Sequence, residues 1–142
     1  MVNPGFRLKR GLKGTAQIVV DKKHLATEFI QPSVESLGTP VLINLMNLAA
    51  FNAVKDYLPQ GYTTVCTYVN VRHVAATPPG MAVTAEAVLE EIEGNRLIFR
   101  VKAYDEAELV GEGVIERWIV EEEKFLQKVR ERKSLLIKGS IS

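Results

Sequence analysis

The chain has 142 residues, a length typical of one domain that buries about two-thirds of its unfolded surface without disulfides or metals. Hydrophobic residues make up 46% of it and charged residues 25%, which is ordinary for a globular protein. Because the net charge is only +1, we expect neither nucleic acid nor an anionic membrane surface as a partner.

The cysteine content and the hydrophobic runs indicate the compartment. Cys66 is the single cysteine, which excludes an internal disulfide and fits a reducing compartment. No apolar run approaches the roughly 20 residues that span a bilayer. Residues 1–5 lack the apolar core of a signal peptide. No linker or repeat divides the chain, so we predict a single domain over residues 1–142 of a soluble, cytoplasmic protein.

The first third of the chain predicts one short strand and one long helix. Residues 15–20 read as the strand, and residues 21–38 are irregular. Thr39-Pro40 then favours a helix start, because threonine can cap free backbone N–H groups and proline suits the first helical position. The helix is predicted to run to about Tyr57. Its apolar residues occupy nearly every side, which predicts a buried helix: Val41, Leu42, Ile43, Leu45, Met46, Leu48, Ala49, Ala50, Phe51, Ala53 and Val54.

Four strand patterns follow this helix, and the turns between them are short enough for antiparallel hairpins. The strands cover about residues 63–76, 81–92, 96–105 and 109–120. A second helix is predicted from Glu121, with an acidic start and a basic finish that suit the helix dipole.

This order of elements has a natural physical solution, in which the sheet curls around the long helix and buries its apolar face against it. A strand, a buried helix and four further strands follow the order of the hot-dog fold. We therefore predict an α+β protein in which an antiparallel sheet wraps around a long central helix, with a C-terminal helix. Such a sheet keeps exposed edges that often pair with a second copy. We predict a homodimer, and a dimer of two such dimers stays open.

The segment from Arg72 to Gly80 contains a prominent candidate for chemistry. It begins as the end of a strand and finishes as a Pro-Pro-Gly turn, and His73, one of only two histidines, sits at the changeover. A histidine held by regular structure on one side and open to a cleft on the other suits proton transfer. A purely structural histidine is the alternative.

Thr39 and three asparagines are further polar residues of the predicted helix. Thr39 is either a plain N-cap or also a group in the positive potential of the helix N-terminus, where oxyanions are favoured. Burying an asparagine amide costs free energy unless it is hydrogen-bonded, so Asn44 and Asn52 are expected to bond backbone or to face a dimer partner. Asn47 lies roughly 12 Å along the helix axis from Thr39, so the two side chains could flank one cleft without touching.

Other site chemistries find little support in the sequence. Two distant histidines and one cysteine give no metal-ligand cluster, and no glycine-rich phosphate loop follows a strand. A nucleophilic pair of Cys66 and His73 is disfavoured because their odd separation points the two side chains to opposite faces of a regular strand. A bulge near Ala75 would weaken that argument.

Three segments carry a resemblance to a known family. The first is residues 73–80, His-Val-Ala-Ala-Thr-Pro-Pro-Gly. The second is residues 39–49, and the third is Glu116-Arg117 with the charged residues that follow up to position 130. Together, over about residues 39–133, they resemble the fluoroacetyl-CoA thioesterases, a branch of the hot-dog thioesterases in which the first motif reads His-x-Ala-Ala-Thr-Pro-Pro-Gly.

That family hydrolyses acyl-CoA thioesters with a threonine, a glutamate and a histidine, so the resemblance implies catalytic roles for Thr39 and His73. The position of the glutamate holds Asn47, and a neutral amide cannot replace the charge of a carboxylate. Cys66 stands where the best-known member has a glycine near the thioester carbonyl. The irregular segment keeps only Phe29 of a run of phenylalanines that forms that enzyme's lid. Selectivity for fluoroacetyl-CoA is therefore not implied.

The main functional hypothesis is a thioesterase acting on a small acyl-CoA, with His73 as the acid–base group. Thr39 helps to hold the nucleophile or the carbonyl, and Asn47 positions water or stabilises the oxyanion. Cys66 and Arg117 are predicted to contact the substrate, although an ordinary surface ion pair is the alternative for Arg117. Coenzyme A enters only as part of the substrate, and we predict no other cofactor and no metal.

Two other functions stay open. One is a protein that binds an acyl-CoA or a related ligand without efficient turnover, because the glutamate is missing. The other is a hot-dog hydratase, which is less favoured because no aspartate and histidine stand together in a loop.

Overall fold

The computed structural model of the protein describes the backbone of residues 6–141 and the side chains of residues 6–136. Residues 1–5, on which the prediction of no signal peptide rests, lie outside this range. The predicted order of elements is confirmed: β1 Lys13–Val19, α1 Thr39–Val54, β2 Tyr62–His73, β3 Ala82–Glu93, β4 Arg96–Tyr104, β5 Leu109–Glu121 and α2 Glu122–Ile141.

The long helix is shorter than predicted. α1 ends at Val54, and the chain continues as a tighter 3₁₀ turn over Lys55–Tyr57. Such tightening is common in the last turn of a helix. Within the described range, no helix is both long and apolar enough to cross a membrane.

The five strands form one antiparallel sheet in the order β1-β3-β4-β5-β2. The predicted α+β architecture, a curled antiparallel sheet with a helix and a further C-terminal helix, is confirmed. β2 follows α1 in the chain but lies at the far edge of the sheet, paired along its length with β5 alone. Among residues 6–141, this placement leaves the outer side of a 12-residue strand without a strand partner.

The core lies between α1 and the inner face of the sheet. Seven residues of α1 are buried, and alternate residues of β3 and β4 face them at full burial. Gly14 in β1 lets the helix approach closely, because a Cβ there would overlap the backbone of Ala49 and Ala53. The back of α1 is thus fixed firmly against the sheet.

The prediction that α1 is buried on nearly every side is wrong for the single chain. Asn44 is exposed, and 46% of the Leu48 surface is open to solvent one turn further on. Val69 on the adjacent edge strand is 39% exposed. The reason is the topology: β2 is the last strand of the sheet, so no described segment covers the helix face beside it.

Candidate active site

The first polar cluster, the histidine corner, consists of Thr39 and His73. It forms because α1 begins next to the end of β2, and the Thr39 Oγ1 and His73 Nδ1 atoms lie 2.8 Å apart. Burial lowers the pKa of His73 below its usual value, and an interaction with the backbone of Ala75 raises this pKa by a smaller amount. His73 is therefore mostly neutral at pH 7 and able to accept a proton.

Thr39 is not the N-cap that the sequence suggested. Gly38 takes that position in extended conformation, and no side chain caps the helix. The Gly38 N–H donates to the carbonyl of His24 at 2.8 Å, which fixes the backbone where the helix begins. The Thr39 hydroxyl is therefore available to His73.

Thr77 holds the histidine corner together, a role that sequence reasoning missed. It is fully buried, its carbonyl accepts from the Leu37 N–H at 2.9 Å, and its hydroxyl donates to Asp105 Oδ2 at 2.9 Å. Burial opposes ionisation of Asp105, but hydrogen bonds from two backbone N–H groups and from Thr77 prevail and lower its pKa. The segment before α1 and the turn after β2 are thus tied to one point. The available signal was a polar residue, Thr77, between two alanines and two prolines.

The second cluster, the arginine corner, consists of Asn47, Thr64 and Arg117. Arg117 points inward from β5 and is only 6% exposed. Its Nε donates to Thr64 Oγ1 at 2.8 Å, one terminal nitrogen to the Thr64 carbonyl at 2.7 Å, and the other to Asn47 Oδ1. The Phe51 ring lies 5.6 Å from the guanidinium carbon. This side chain is held from several directions.

The alternative of a surface ion pair for Arg117 is wrong. The neighbouring carboxylate, Glu116, lies on the opposite face of β5 and bonds Arg96 at 2.8 and 2.9 Å. Burial lowers the pKa of Arg117, with the Cys66 thiol acting in the opposite direction. The period-2 pattern contained the signal, because Arg117 is in phase with the buried Ile115 and Ile119.

The network also fixes the orientation of the Asn47 amide. Because a guanidinium can only donate hydrogen bonds, it requires the carbonyl oxygen of Asn47. The NH₂ group of Asn47 is then directed away from Arg117 as a donor. A donor fixed in this way can bind a carbonyl oxygen or an oxyanion.

Cys66 lies beside the arginine corner, as the cross-strand neighbour of Arg117 on β2. The prediction that Cys66 and His73 point to opposite faces is wrong, because the register shifts between Cys66 and Tyr68. Opposite them on β5 stand Arg117 and Gly111, an even number of positions apart, so both side chains lie on the same face of the sheet, where Cys66 is exposed. They still cannot form a pair, since about 20 Å of strand separates them.

Two clefts adjoin the histidine corner. One, of about 170 Å³, lies against Thr39 and is lined mainly by Ala26, Phe29, Ile30 and Pro40. The other, of about 250 Å³, runs past His73 along Ser36 and residues 74–76. In the part of the chain that the structure describes, no three His, Cys, Asp or Glu side chains are grouped as a metal site.

The two corners are separate within one chain. Thr39 and Asn47 are eight positions apart on α1, which places them roughly 12 Å apart along the helix axis. The structure therefore brings Thr39 together with His73, and Asn47 together with Arg117 and Cys66. It does not bring the two groups into contact.

Comparisons with known proteins agree with the motifs. Residues 20–123 match the family described as "FlK: Fluoroacetyl-CoA-specific thioesterase". The fluoroacetyl-CoA thioesterase of Streptantibioticus cattleyicolor is 41% identical over 98 residues, covering 69% of this chain and 70% of that protein.

Two solved structures are similar over most of their length and confirm the hot-dog fold. A mutant of the fluoroacetyl-CoA thioesterase FlK in complex with acetyl-CoA is 33% identical, with a TM-score of 0.81 over 88% of this chain and 98% of that chain. A hypothetical protein of Thermus thermophilus, a thioesterase superfamily member, is 30% identical, with a TM-score of 0.86 over 92% of this chain and 96% of that chain.

Proposed function

Since the chain belongs to the fluoroacetyl-CoA-specific thioesterase family, we propose that it hydrolyses a small acyl-CoA thioester with His73 as the acid–base group. The observation that carries this proposal is the 2.8 Å contact between Thr39 Oγ1 and a histidine that burial keeps neutral. The similar structure that contains acyl-CoA supports a CoA ester as the ligand.

Proton transfer starts at the Thr39 hydroxyl. With its own proton on Nε2, His73 accepts the hydroxyl hydrogen bond at Nδ1. In one route, His73 takes the Thr39 proton while the Thr39 oxygen attacks the thioester carbonyl. In the other route, water attacks the carbonyl and gives its proton to the Thr39 hydroxyl, which passes its own proton to His73. The imidazolium gives this proton to the departing CoA thiolate. If Thr39 is the nucleophile, a water that His73 deprotonates then cleaves the acyl ester on Thr39, which releases the acid and restores the hydroxyl. General-base assistance of this kind typically contributes 10²–10⁴-fold to the rate.

The oxyanion of this reaction needs a hydrogen-bond donor, and in our proposal the fixed NH₂ group of Asn47 supplies one. Within one chain this group is roughly 12 Å from the histidine corner along the helix. A homodimer removes that distance. If two β2 edges pair antiparallel about an axis near Val69, the arginine corner of one copy lies opposite the histidine corner of the other.

The exposed surfaces support this dimer. The axis would pass beside the uncovered face of α1, where Leu48 is 46% exposed and Val69 is 39% exposed. Pairing would also satisfy the outward backbone groups of β2, which no other strand of the described structure pairs with. Each site would then combine residues of both copies.

A second function, binding of an acyl-CoA without efficient turnover, is favoured by one observation. Asn47 is neutral and its oxygen is already occupied by Arg117, so it supplies neither a base nor a counter-charge to His73. The two functions differ in whether the thioester bond is broken.

Release of free thiol from short, branched and aromatic acyl-CoAs tests the proposal. Wild type is compared with His73→Ala and with His24→Ala, which removes the other histidine. Turnover that disappears in His73→Ala and persists in His24→Ala supports hydrolysis at this site. Binding of CoA esters with no turnover of any substrate supports the alternative function.

A further inference from the structure

Arg117 is a buried cation whose partners are all neutral. Its three hydrogen bonds go to the hydroxyl and carbonyl oxygens of Thr64 and to the amide oxygen of Asn47. Among residues 6–136, no carboxylate lies within ion-pair distance of it. A buried charge is costly unless it is paired, so this guanidinium is one negative charge short.

The guanidinium also has donors to spare. It carries five N–H groups, of which three are used, and each terminal nitrogen keeps one more. A guanidinium suits a carboxylate because two N–H groups can meet two oxygens. With the Phe51 ring at 5.6 Å, the surroundings of this charge are partly apolar, which strengthens its interaction with an anion.

The position of Arg117 restricts which anion can reach it. The side chain lies between α1 and the sheet and is 6% exposed. The phosphates of CoA are bulky and strongly hydrated, and they suit lysines or arginines at a cleft mouth. A carboxylate at the end of a short acyl chain is smaller and brings the negative charge that the guanidinium lacks.

We propose that the site selects acyl-CoA esters whose short acyl group carries a second, free carboxylate, and that Arg117 binds this carboxylate. The inference rests on the proposed function, since the acyl group of a thioester held at one histidine corner would meet the arginine corner of the second copy. The carboxylate takes no part in the bond changes: water and the ester give a dicarboxylic acid and free CoA.

Asn47 has a specific part in this selection. A glutamate at this position would neutralise Arg117, whereas asparagine orients the guanidinium and leaves its charge for the substrate. The residue that departs from the family motif thus becomes a determinant of specificity.

Matched substrate pairs test the proposal, with kcat/KM measured for each ester. Malonyl-CoA is compared with isovaleryl-CoA, and succinyl-CoA with 4-methylpentanoyl-CoA, because each pair differs by a carboxylate in place of an isopropyl group. We expect wild type to prefer the carboxylated member by about tenfold or more, the scale of a hydrogen-bonded charge. Equal rates, or a preference for the apolar member, overturn the proposal while leaving hydrolysis established.

Variants at position 47 separate charge from shape. Asn47→Gln and Asn47→Glu have the same length and differ only in charge. We expect Asn47→Glu to lose the preference for carboxylated esters and Asn47→Gln to keep part of it. The same preference in both variants contradicts the role of Arg117.

Equilibrium binding keeps the inference testable if no ester is hydrolysed. Titration calorimetry with malonyl-CoA and isovaleryl-CoA then reports the preference directly. Tighter binding of malonyl-CoA to wild type, lost in Asn47→Glu, supports the carboxylate site even where the proposed function fails. Equal affinities overturn it.

Discussion

The histidine corner and the arginine corner lie on the same helix and differ in almost every physical respect. His73 is neutral, beside two clefts, and hydrogen-bonded through a single hydroxyl. Arg117 is charged, nearly fully buried and held by three hydrogen bonds. The first arrangement leaves a group free to exchange a proton, and the second fixes a charge and an amide for recognition. In our proposal, each corner supplies a different part of one hydrolytic site.

The close packing of α1 against β1 positions both corners, so disturbing this packing has the largest expected effect on stability and on both corners. Gly14→Ala would push a methyl group into the backbone of Ala49 and Ala53. We expect the free energy of unfolding to fall by about 3 kcal/mol or more, at the upper end of overpacking effects. Urea denaturation of Gly14→Ala and of the exposed neighbour Lys13→Ala measures this. If Gly14→Ala and Lys13→Ala lower the free energy of unfolding equally, α1 does not pack closely against β1 at Gly14.

Removing the hydroxyl of Thr39 tests the histidine corner alone, because the arginine corner keeps all its contacts. Thr39→Val keeps the shape but leaves Nδ1 of His73 without its partner. We expect kcat to fall by about 10²-fold, within the range of general-base assistance. Thr39→Ser should retain most of the activity because it keeps the hydroxyl. Unchanged kcat in Thr39→Val would remove threonine from the proton path.

The pH dependence of the rate distinguishes the two corners, because only His73 titrates near neutrality. Burial lowers the pKa of its ring, so the acid limb of kcat/KM should have its midpoint below the usual value of about 6.5. Initial rates between pH 4.5 and 8 with one ester would show it. A midpoint above that value would indicate a nearby negative charge instead.

The smallest expected effect is the contribution of the His73 imidazole to the free energy of unfolding. The folded pKa lies below the unfolded one, so between the two values the unfolded chain binds more protons and stability falls as pH decreases. His73→Gln should lack this component. Urea denaturation of both proteins at several pH values below 6.5 measures the difference. A difference that does not change with pH would contradict the lowered pKa.

The sequence was sufficient for the order of elements, because each strand and helix has its own periodicity and turn residues. The joint roles of Thr39 and His73 were implied by the family resemblance and not by the element pattern, and the capping role suggested for Thr39 was wrong. The cap passes to Gly38 because Thr39 is already helical.

Features that depend on tertiary contacts were harder to predict from the sequence. Cys66-Thr67-Tyr68 looks like an ordinary part of strand β2, yet Thr67 bulges and bonds the Glu116 carbonyl at 3.3 Å. Because of this one extra residue, the side chains of β2 before position 67 lie on the opposite face from the one that regular alternation predicts. The burial of Arg117 depends equally on contacts with Asn47 and Thr64, which are distant in the chain.

The central claim is that one site combines the histidine corner of one copy with the arginine corner of another, and subunit complementation tests it directly. We expect the His73→Ala and Asn47→Leu variants each to be inactive alone. They are dissociated, mixed and reassociated before thiol release is measured. Each mixed dimer would contain one intact site, which predicts about a quarter of wild-type activity for random pairing of a symmetric dimer.

The control mixes His73→Ala with Thr39→Val, two changes in the same corner, for which no recovery is expected. Recovery in the first mixture and none in the second is the predicted result. If mixed dimers of His73→Ala and Asn47→Leu form and remain inactive, the two corners do not meet across the interface.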